Sequence, residues 1–392
     1  MSRKAAPVDV PVAGPGEAPV TALVDAPLTV RIDAPVPAAV RAHVGAHLTM
    51  PAAALHAAPQ QRAAWLLMLA LLAAALVATL VGAGVGSTGF ESVLKAHQDA
   101  VAWQIVWDIR LPRTLGAWMT GALLGLAGAV AQGLFRNPLA DPFLLGSASG
   151  AALGVALALA LFHVSPFATQ LLVRLGLTGA AFAGAVLGVL LTLTLAKGVQ
   201  HTLRLLLAGV IVGVVLGAAR DLVTLAVPDI LQAMQAFTLG STGFIGWTSC
   251  ALMAGMWAVC MVTAWMLSHV LDGLTLGEAT ARSLGLPLAP MRAALVAVLA
   301  LATGTAVAQT GLIAFVGLAA PHLVRSIVKT THGRLILLSS LMGGLLLLVA
   351  DVLARWLVAP QELPVGVLTA LLGGSYLLWL MHRRTARGSG VL

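Results

Sequence analysis

Three groups of charged residues stand out in a chain of 392 residues of which only 9% are charged. Arg110 and Arg113 lie in the stretch DIRLPRTL, where Pro112 suits a first helical turn. Arg355 ends a long apolar run and is followed by Pro360-Gln361-Glu362-Leu363-Pro364. A guanidinium meets a carboxylate through two parallel hydrogen bonds, so these arginines could anchor acidic side chains of an external partner. Their other use is interfacial snorkelling or local pairing with Asp108, Asp351 or Glu362. Asp351 and Arg355, at i,i+4 on one helix face, are expected to pair. Arg220 and Asp221 form the second group, inside an apolar run where ionisable groups line a cavity or pair with one another. Arg220 is read as lining a pathway and suits an anionic cargo. Neighbours at i,i+1 do not face each other on a helix, so pairing with Asp221 stays open.

The third group sits in a polar island, Leu271 to Pro290, reading LDGLTLGEATARSLGLPLAP between two apolar runs. Thr275 is placed to N-cap a helix, with Glu278 three residues on as in a capping box, and Gly285 then Pro287 stop it. Glu278 and Arg282 stand at i,i+4 in the favourable order. The island reads as a short capped helix, either an ordinary connection or a surface for docking onto something outside the membrane.

Other chemistry is not signalled. His163, His201, His269, His322 and His332 follow no HxxxH pattern, and there is no CxxC, so no metal site is expected. Cys250 and Cys260, ten residues apart in one apolar run, would lie about 15 Å apart along a helix, too far for a disulfide. No GxxxxGK[ST] occurs, so the chain lacks the phosphate loop of an ATPase. If ATP drives this protein, another subunit must bind it.

The elements that position these groups are membrane spans. The chain is 59% hydrophobic with a mean hydropathy of +0.98, against about 25% charged residues in a soluble domain. A span needs about 20 apolar residues. Ten candidates follow: 63–84, 112–134, 143–162, 171–196, 203–226, 245–270, 289–309, 312–328, 335–357 and 365–382. The 41 glycines suit helices in close contact, with 146, 150 and 154 as one small-residue face. With the N-terminus in the cytoplasm most Lys and Arg fall on the inner side, as does the island. Residues 1–62, punctuated by proline, read as a mostly disordered cytoplasmic extension without a secretory leader. The membrane domain then covers 63–384, with 385–392 as a tail. AVAQG (129–133) and AVAQT (306–310) are a faint internal echo of the kind seen in transporters built from repeats.

Six stretches carry a family resemblance: DIRLPRTL, LFRNPLADPFLLG, LRLLLAG, LTLGEATARSLGLPL, FVGLAAPHLVR and ADVLARWLVAPQELPVGVLTALLGG. Together they resemble the iron-siderophore, haem and vitamin B12 permeases of ABC importers, from about residue 100 to 382. The resemblance implies an all-α integral membrane protein of about ten transmembrane helices with short cytoplasmic coupling helices. It implies a homodimeric permease whose interface encloses the path, in the bacterial inner membrane with both termini cytoplasmic. Its partners would be two ATP-binding subunits, which hold the ATP and Mg, and a periplasmic substrate-binding protein. The chain itself would bind no cofactor and perform no bond chemistry. In that scheme Leu276, Gly277, Glu278, Ala281, Arg282, Gly285 and Leu286 couple to the ATPase. Arg110, Arg113 and Arg355 dock the binding protein, and Thr202 and Leu203 form the cytoplasmic gate. The cargo would be a large metal chelate: haem first, because Arg220 doubled in a dimer could meet two propionates, then a ferric siderophore or vitamin B12. Gly373-Gly374-Ser375-Tyr376 departs from the family's Gly-x-Pro-x-Phe and should leave the last helix straighter. The rival is an ion-coupled secondary transporter without an ATPase partner, which needs Asp221 or Asp351 as carrier.

Overall fold

A computed structural model describes residues 52–86, 89–90, 99–162, 171–196 and 202–388. His56–Leu392 make one compact unit, and of the Met1–Leu55 unit only 52–55 are described. Most of the N-terminal extension, and residues 389–392 of the tail, therefore lie outside the described residues.

All ten apolar segments form helices. The first, α1 (Ala52–Gly84), starts earlier than expected, because AAALHAA is rich in strong helix formers. A two-residue strand pair, β1 (Val85–Gly86) and β2 (Gly89–Phe90), follows it. Next come α2 (Ala100–Ile105), a π turn over Val106–Arg110 and α3 (Leu111–Leu134), which run on as one 35-residue helical stretch. A 3-10 turn (Pro142–Leu145) leads into α4 (Ser147–Phe162), then α5 (Leu171–Leu195) and α6 (Thr202–Ala226). The short α7 (Leu231–Leu239) precedes α8 (Trp247–Met266). The island follows as α9 (Ser268–Thr275) and α10 (Glu278–Ser283), and then α11 (Leu288–Thr310). The chain ends with α12 (Val316–Ile327), α13 (His332–Trp356) and α14 (Val365–Gly388).

Seven helical stretches among the described residues are long and apolar enough to cross a membrane, and α4 and the Val365–Trp379 part of α14 are shorter apolar stretches. The eighth segment, α12, has 12 residues and rises only about 18 Å, short of a hydrocarbon core of about 30 Å. Non-helical backbone from Gly311 to Phe315 precedes it, with Phe315 at φ +69°. The last helix is unbroken through Gly373-Gly374 and runs to Gly388, into the expected tail.

Close approach of backbones holds the bundle together. A Cβ on Gly121 would stand 2.2 Å from the carbonyl oxygen of Gly343, so α3 and α13 meet backbone to backbone. The same is true of Gly150 on α4 and Gly184 on α5, as the small-residue face at 150 and 154 implies. The faint echo acquires a packing counterpart. Each matched helix, α3 or α11, lies against the third helix of the other set, so α3 packs on α13 and α11 on α5. In this reciprocal arrangement α4 packs on α5 as α12 packs on α13.

Candidate functional site

Charged side chains gather at the two ends of this bundle. At one end the island folds differently from its sequence pattern. Val270, Leu271 and Leu274 are fully buried, and burying them keeps the chain helical through Thr275. Thr275 therefore does not N-cap: its hydroxyl donates back to the Asp272 carbonyl, 2.6 Å away. The chain breaks instead at Gly277, whose φ of +101° is open to glycine and strained for other residues. The expected capping box is absent, and α10 begins at Glu278 itself.

The far end of α10 closes as expected. Gly285, at φ +79°, donates to the Arg282 carbonyl at 2.9 Å, and Leu286 N–H reaches the Ala281 carbonyl at 3.3 Å. This pair of bonds is the Schellman cap. It turns Leu286 back so that Leu286 and Ala281 lie over Gly273 of α9. Ala281, expected among the coupling residues, is fully buried there and packs the island together.

An ion pair and a carboxylate–histidine contact pin this unit to the bundle. Arg292, in the second turn of α11 and 3% exposed, donates to Glu278 at 2.6 Å. Arg282, the partner expected for Glu278, stands farther away at 3.6 Å and is mostly exposed. The Arg292 hydrogen bond is the main reason that the Glu278 carboxyl lies below its usual range, with Arg136 and Arg282 adding to the field. Asp272 accepts from the His332 backbone N–H at 3.0 Å and meets the ring Nδ1 at 2.7 Å. Its carboxylate thus sits on the N-terminus of α13, where the helix dipole favours a negative charge. Leu276 and Leu284 are left 64% and 63% exposed, beside Arg282. The island is an ordered knob with an apolar and basic outer surface.

Nearby, α3 ends in a Schellman cap whose left-handed residue is Arg136, at φ +49°. Sequence reasoning missed Asp272, His332, Arg292, Arg136 and Leu284 as members of this site. Asp272 and His332 are 60 residues apart, and no local spacing could link them. An arginine one turn into an otherwise apolar helix was the signal available for Arg292.

At the other end, Arg113 and Arg355 close on Asp351. Asp351 is fully buried and accepts from Arg113 Nε at 3.2 Å, from Arg355 Nη2 at 2.7 Å and from the Thr242 hydroxyl. Arg355, 1% exposed, also donates to the carbonyls of Gly82 and Val85 at 2.9 and 3.0 Å and to Thr114 at 3.2 Å. Arg113 donates to Glu362 at 2.8 Å, and Arg110 to the Gly84 carbonyl at 3.3 Å. Arg110, Arg113 and Arg355, expected as an outward anchor, are all buried, and with Asp351 they tie α1, α3, α13 and Thr242 together. The physical reason is that a buried guanidinium must satisfy its donors, and C-terminal carbonyls of α1 and the Asp351 carboxylate lie within reach. Asp351 therefore meets three donors, whereas the secondary-transport rival would need it as a carrier.

The remaining site residues lie on α6. Arg220 pairs with its neighbour Asp221, Nη2 to Oδ1 at 2.5 Å, which settles the question left open by the sequence. Leu203 stands at the start of α6 and is 81% exposed, whereas the side chain of Thr202 lies outside the described ones. Leu203, Leu207, Val210, Val214, Leu222 and Leu225 form an exposed apolar stripe along this helix.

Residues 45–383 match the model of the FecCD transport family. The chain belongs to the FecCD transport family. This FecCD chain is 38% identical over 333 residues to the hemin transport system permease protein HmuU of Yersinia pestis, covering 83% of the chain and 98% of that protein. It is 40% identical over 326 residues to the vitamin B12 import system permease protein BtuC of Salmonella paratyphi A, covering 81% and 94%. A solved structure of an inward-facing metal-chelate type ABC transporter superposes with a TM-score of 0.72 at 28% identity, over 80% of this chain and 98% of that one. The FecCD chain is accordingly an all-helical, multi-pass membrane permease, as the motifs implied.

Proposed function

We propose that this chain is the membrane-spanning subunit of an ATP-driven importer for a large metal chelate, moving it from periplasm to cytoplasm. The reading rests above all on the island: a knob, pinned by the Glu278–Arg292 ion pair and the Asp272–His332 contact, that presents Leu276, Arg282 and Leu284 to solvent. Such a surface is built to be gripped by another protein, and the chain carries no phosphate loop of its own. Two ATP-binding subunits would seat on it from the cytoplasm, with both termini of the permease on that side. The exposed stripe of α6 suits a second copy of the chain, with Thr202 and Leu203 at the inner gate and Arg220 toward the path.

Haem is the first cargo, ahead of a ferric siderophore or vitamin B12, on the similarity to the hemin permease. The pairing of Arg220 with Asp221 weakens the argument from two free cations. A periplasmic binding protein would dock at the end that holds Arg110, Arg113 and Arg355. A carboxylate of that partner would reach Arg113 by displacing Glu362, the more exposed of its two acceptors.

The test is uptake in liposomes holding the permease with its ATP-binding subunits and a haem-loaded binding protein. Haem absorbance should accumulate inside only when ATP is hydrolysed. Uptake driven by a proton gradient without ATPase subunits overturns the proposal.

A further inference from the structure

The island is joined by covalent chain to α8, through Leu267, and to α11, through Leu286 and Pro287. It also holds a third helix that it does not touch in sequence. Asp272 grips the N-terminus of α13 by the His332 backbone N–H at 3.0 Å and the ring Nδ1 at 2.7 Å. A carboxylate accepting from a helix N-terminus makes a charge-assisted, directional link. The second link, Glu278 to the buried Arg292, fixes α10 to α11. Of the two, only the first reaches a helix that the island does not already adjoin through the backbone.

What α13 does next gives that link its reach. It packs backbone to backbone on α3 through Gly343 and Gly121. From His332 to Asp351 it runs 19 residues, about 28 Å at 1.5 Å per residue. At its far end Asp351 and Arg355 bind Arg113, Thr114 and the last carbonyls of α1. Asp272 thus holds one end of a stiff rod whose other end is bolted into the buried ion cluster.

We propose that Asp272 is the positioning residue through which displacement of the α9–α10 unit is delivered to α13, and through α13 to α3 and the cluster at the opposite end. This rests on the reading that the island seats on an ATP-driven partner. Without the Asp272 link the island still folds, since Gly277, the Schellman cap and the Glu278–Arg292 pair remain. It would then ride with the ATPase, and α13 would follow only through packing against α9, where Gly333 meets Ser268.

The experiment uses the full chain assembled with its ATP-binding subunits in liposomes, and reads haem taken up per ATP hydrolysed. Wild type comes first. If its uptake does not depend on ATP, the importer reading itself fails, and the positioning role falls with it. Given a coupled wild type, Asp272→Ala should keep subunit assembly and ATP hydrolysis while uptake per ATP falls about fivefold or more, the lower edge of typical coupling between sites. Asp272→Asn, which retains an acceptor for the His332 N–H, should restore most of the loss. Wild-type uptake per ATP in Asp272→Ala overturns the proposal. So does a parallel loss of assembly and hydrolysis that Asp272→Asn does not repair, which is the signature of a merely structural residue.

Discussion

Replacing Asp351 with asparagine removes one negative charge from a cluster that holds Arg113 and Arg355 against Asp351 and Glu362. Two positive and two negative groups balance, and the substitution leaves a net charge of +1. Arg355 is 1% exposed and Arg113 8%, so water cannot take over from the lost carboxylate. Removing one partner of a buried pair costs about 3–5 kcal/mol, because a charge is left without compensation. At about 2 °C per kcal/mol for a large domain, the melting temperature should fall by about 6–10 °C. The assay is thermal unfolding of the purified chain in detergent, followed by the near-ultraviolet signal of its nine tryptophans. The decisive comparison is the double variant Asp351→Asn with Arg355→Met. Exchanging both partners for uncharged groups of similar size is far less costly than orphaning one, so the double variant should be more stable than Asp351→Asn alone. A double variant that melts at or below the single one refutes the reasoning, since Arg355 would then not be the group that Asp351 neutralises.

Three further outcomes are expected. The Glu278 carboxyl is held below its ordinary value of 4.5, chiefly by Arg292; a lowered folded pKa adds stability above the unfolded pKa that disappears as pH falls through the folded one. A spin label at Ser283 should therefore be equally immobile from pH 5 upward and loosen only below about pH 4; loosening between pH 7 and 5 would count against the pair. Arg136→Gly should raise thermal stability by up to about 1 kcal/mol, because φ +49° suits glycine better than an L side chain; a lower melting temperature would show that the side chain matters more than its backbone. Gly343→Ala puts a Cβ 2.3 Å from the Gly121 carbonyl oxygen and should cost about 1–3 kcal/mol by overpacking, read by the same melt.

The apolar runs were legible because a bilayer span is written as an uninterrupted composition, and their order fixes which helices exist. The island was legible as a place and misread as a shape. Thr275 and Glu278 carry the letters of a capping box, but burial of Val270, Leu271 and Leu274 extended the previous helix past the cap, and Gly277 took the break. Asp351 with Arg355 could be paired from i,i+4 spacing alone. Asp351 and Glu362 stood among the possible partners of Arg113, but nothing in the sequence selects that pairing over an outward anchor, because a separation of 238 residues leaves no local trace. An arginine near a span end reads the same whether it faces water or a buried carboxylate, and that ambiguity is why the outer arginines were expected to face outward. Arg292 and Asp272 were hidden for the same reason. Their partners are brought in by packing, and packing is a property of the whole bundle.

The 238 residues between Arg113 and Asp351 also set a schedule for making the protein. At about 5–20 residues per second, the ribosome needs roughly 12–48 s to supply the carboxylate after the arginine has emerged. Throughout that interval α3 carries Arg113, whose acidic partners have not been synthesised. The helix with the deepest place in the finished bundle must therefore wait, shielded by the insertion machinery or lying at the lipid surface, until α13 arrives. A chain that stops before residue 351 leaves that wait without end, which makes early truncation products natural substrates for membrane quality-control proteases.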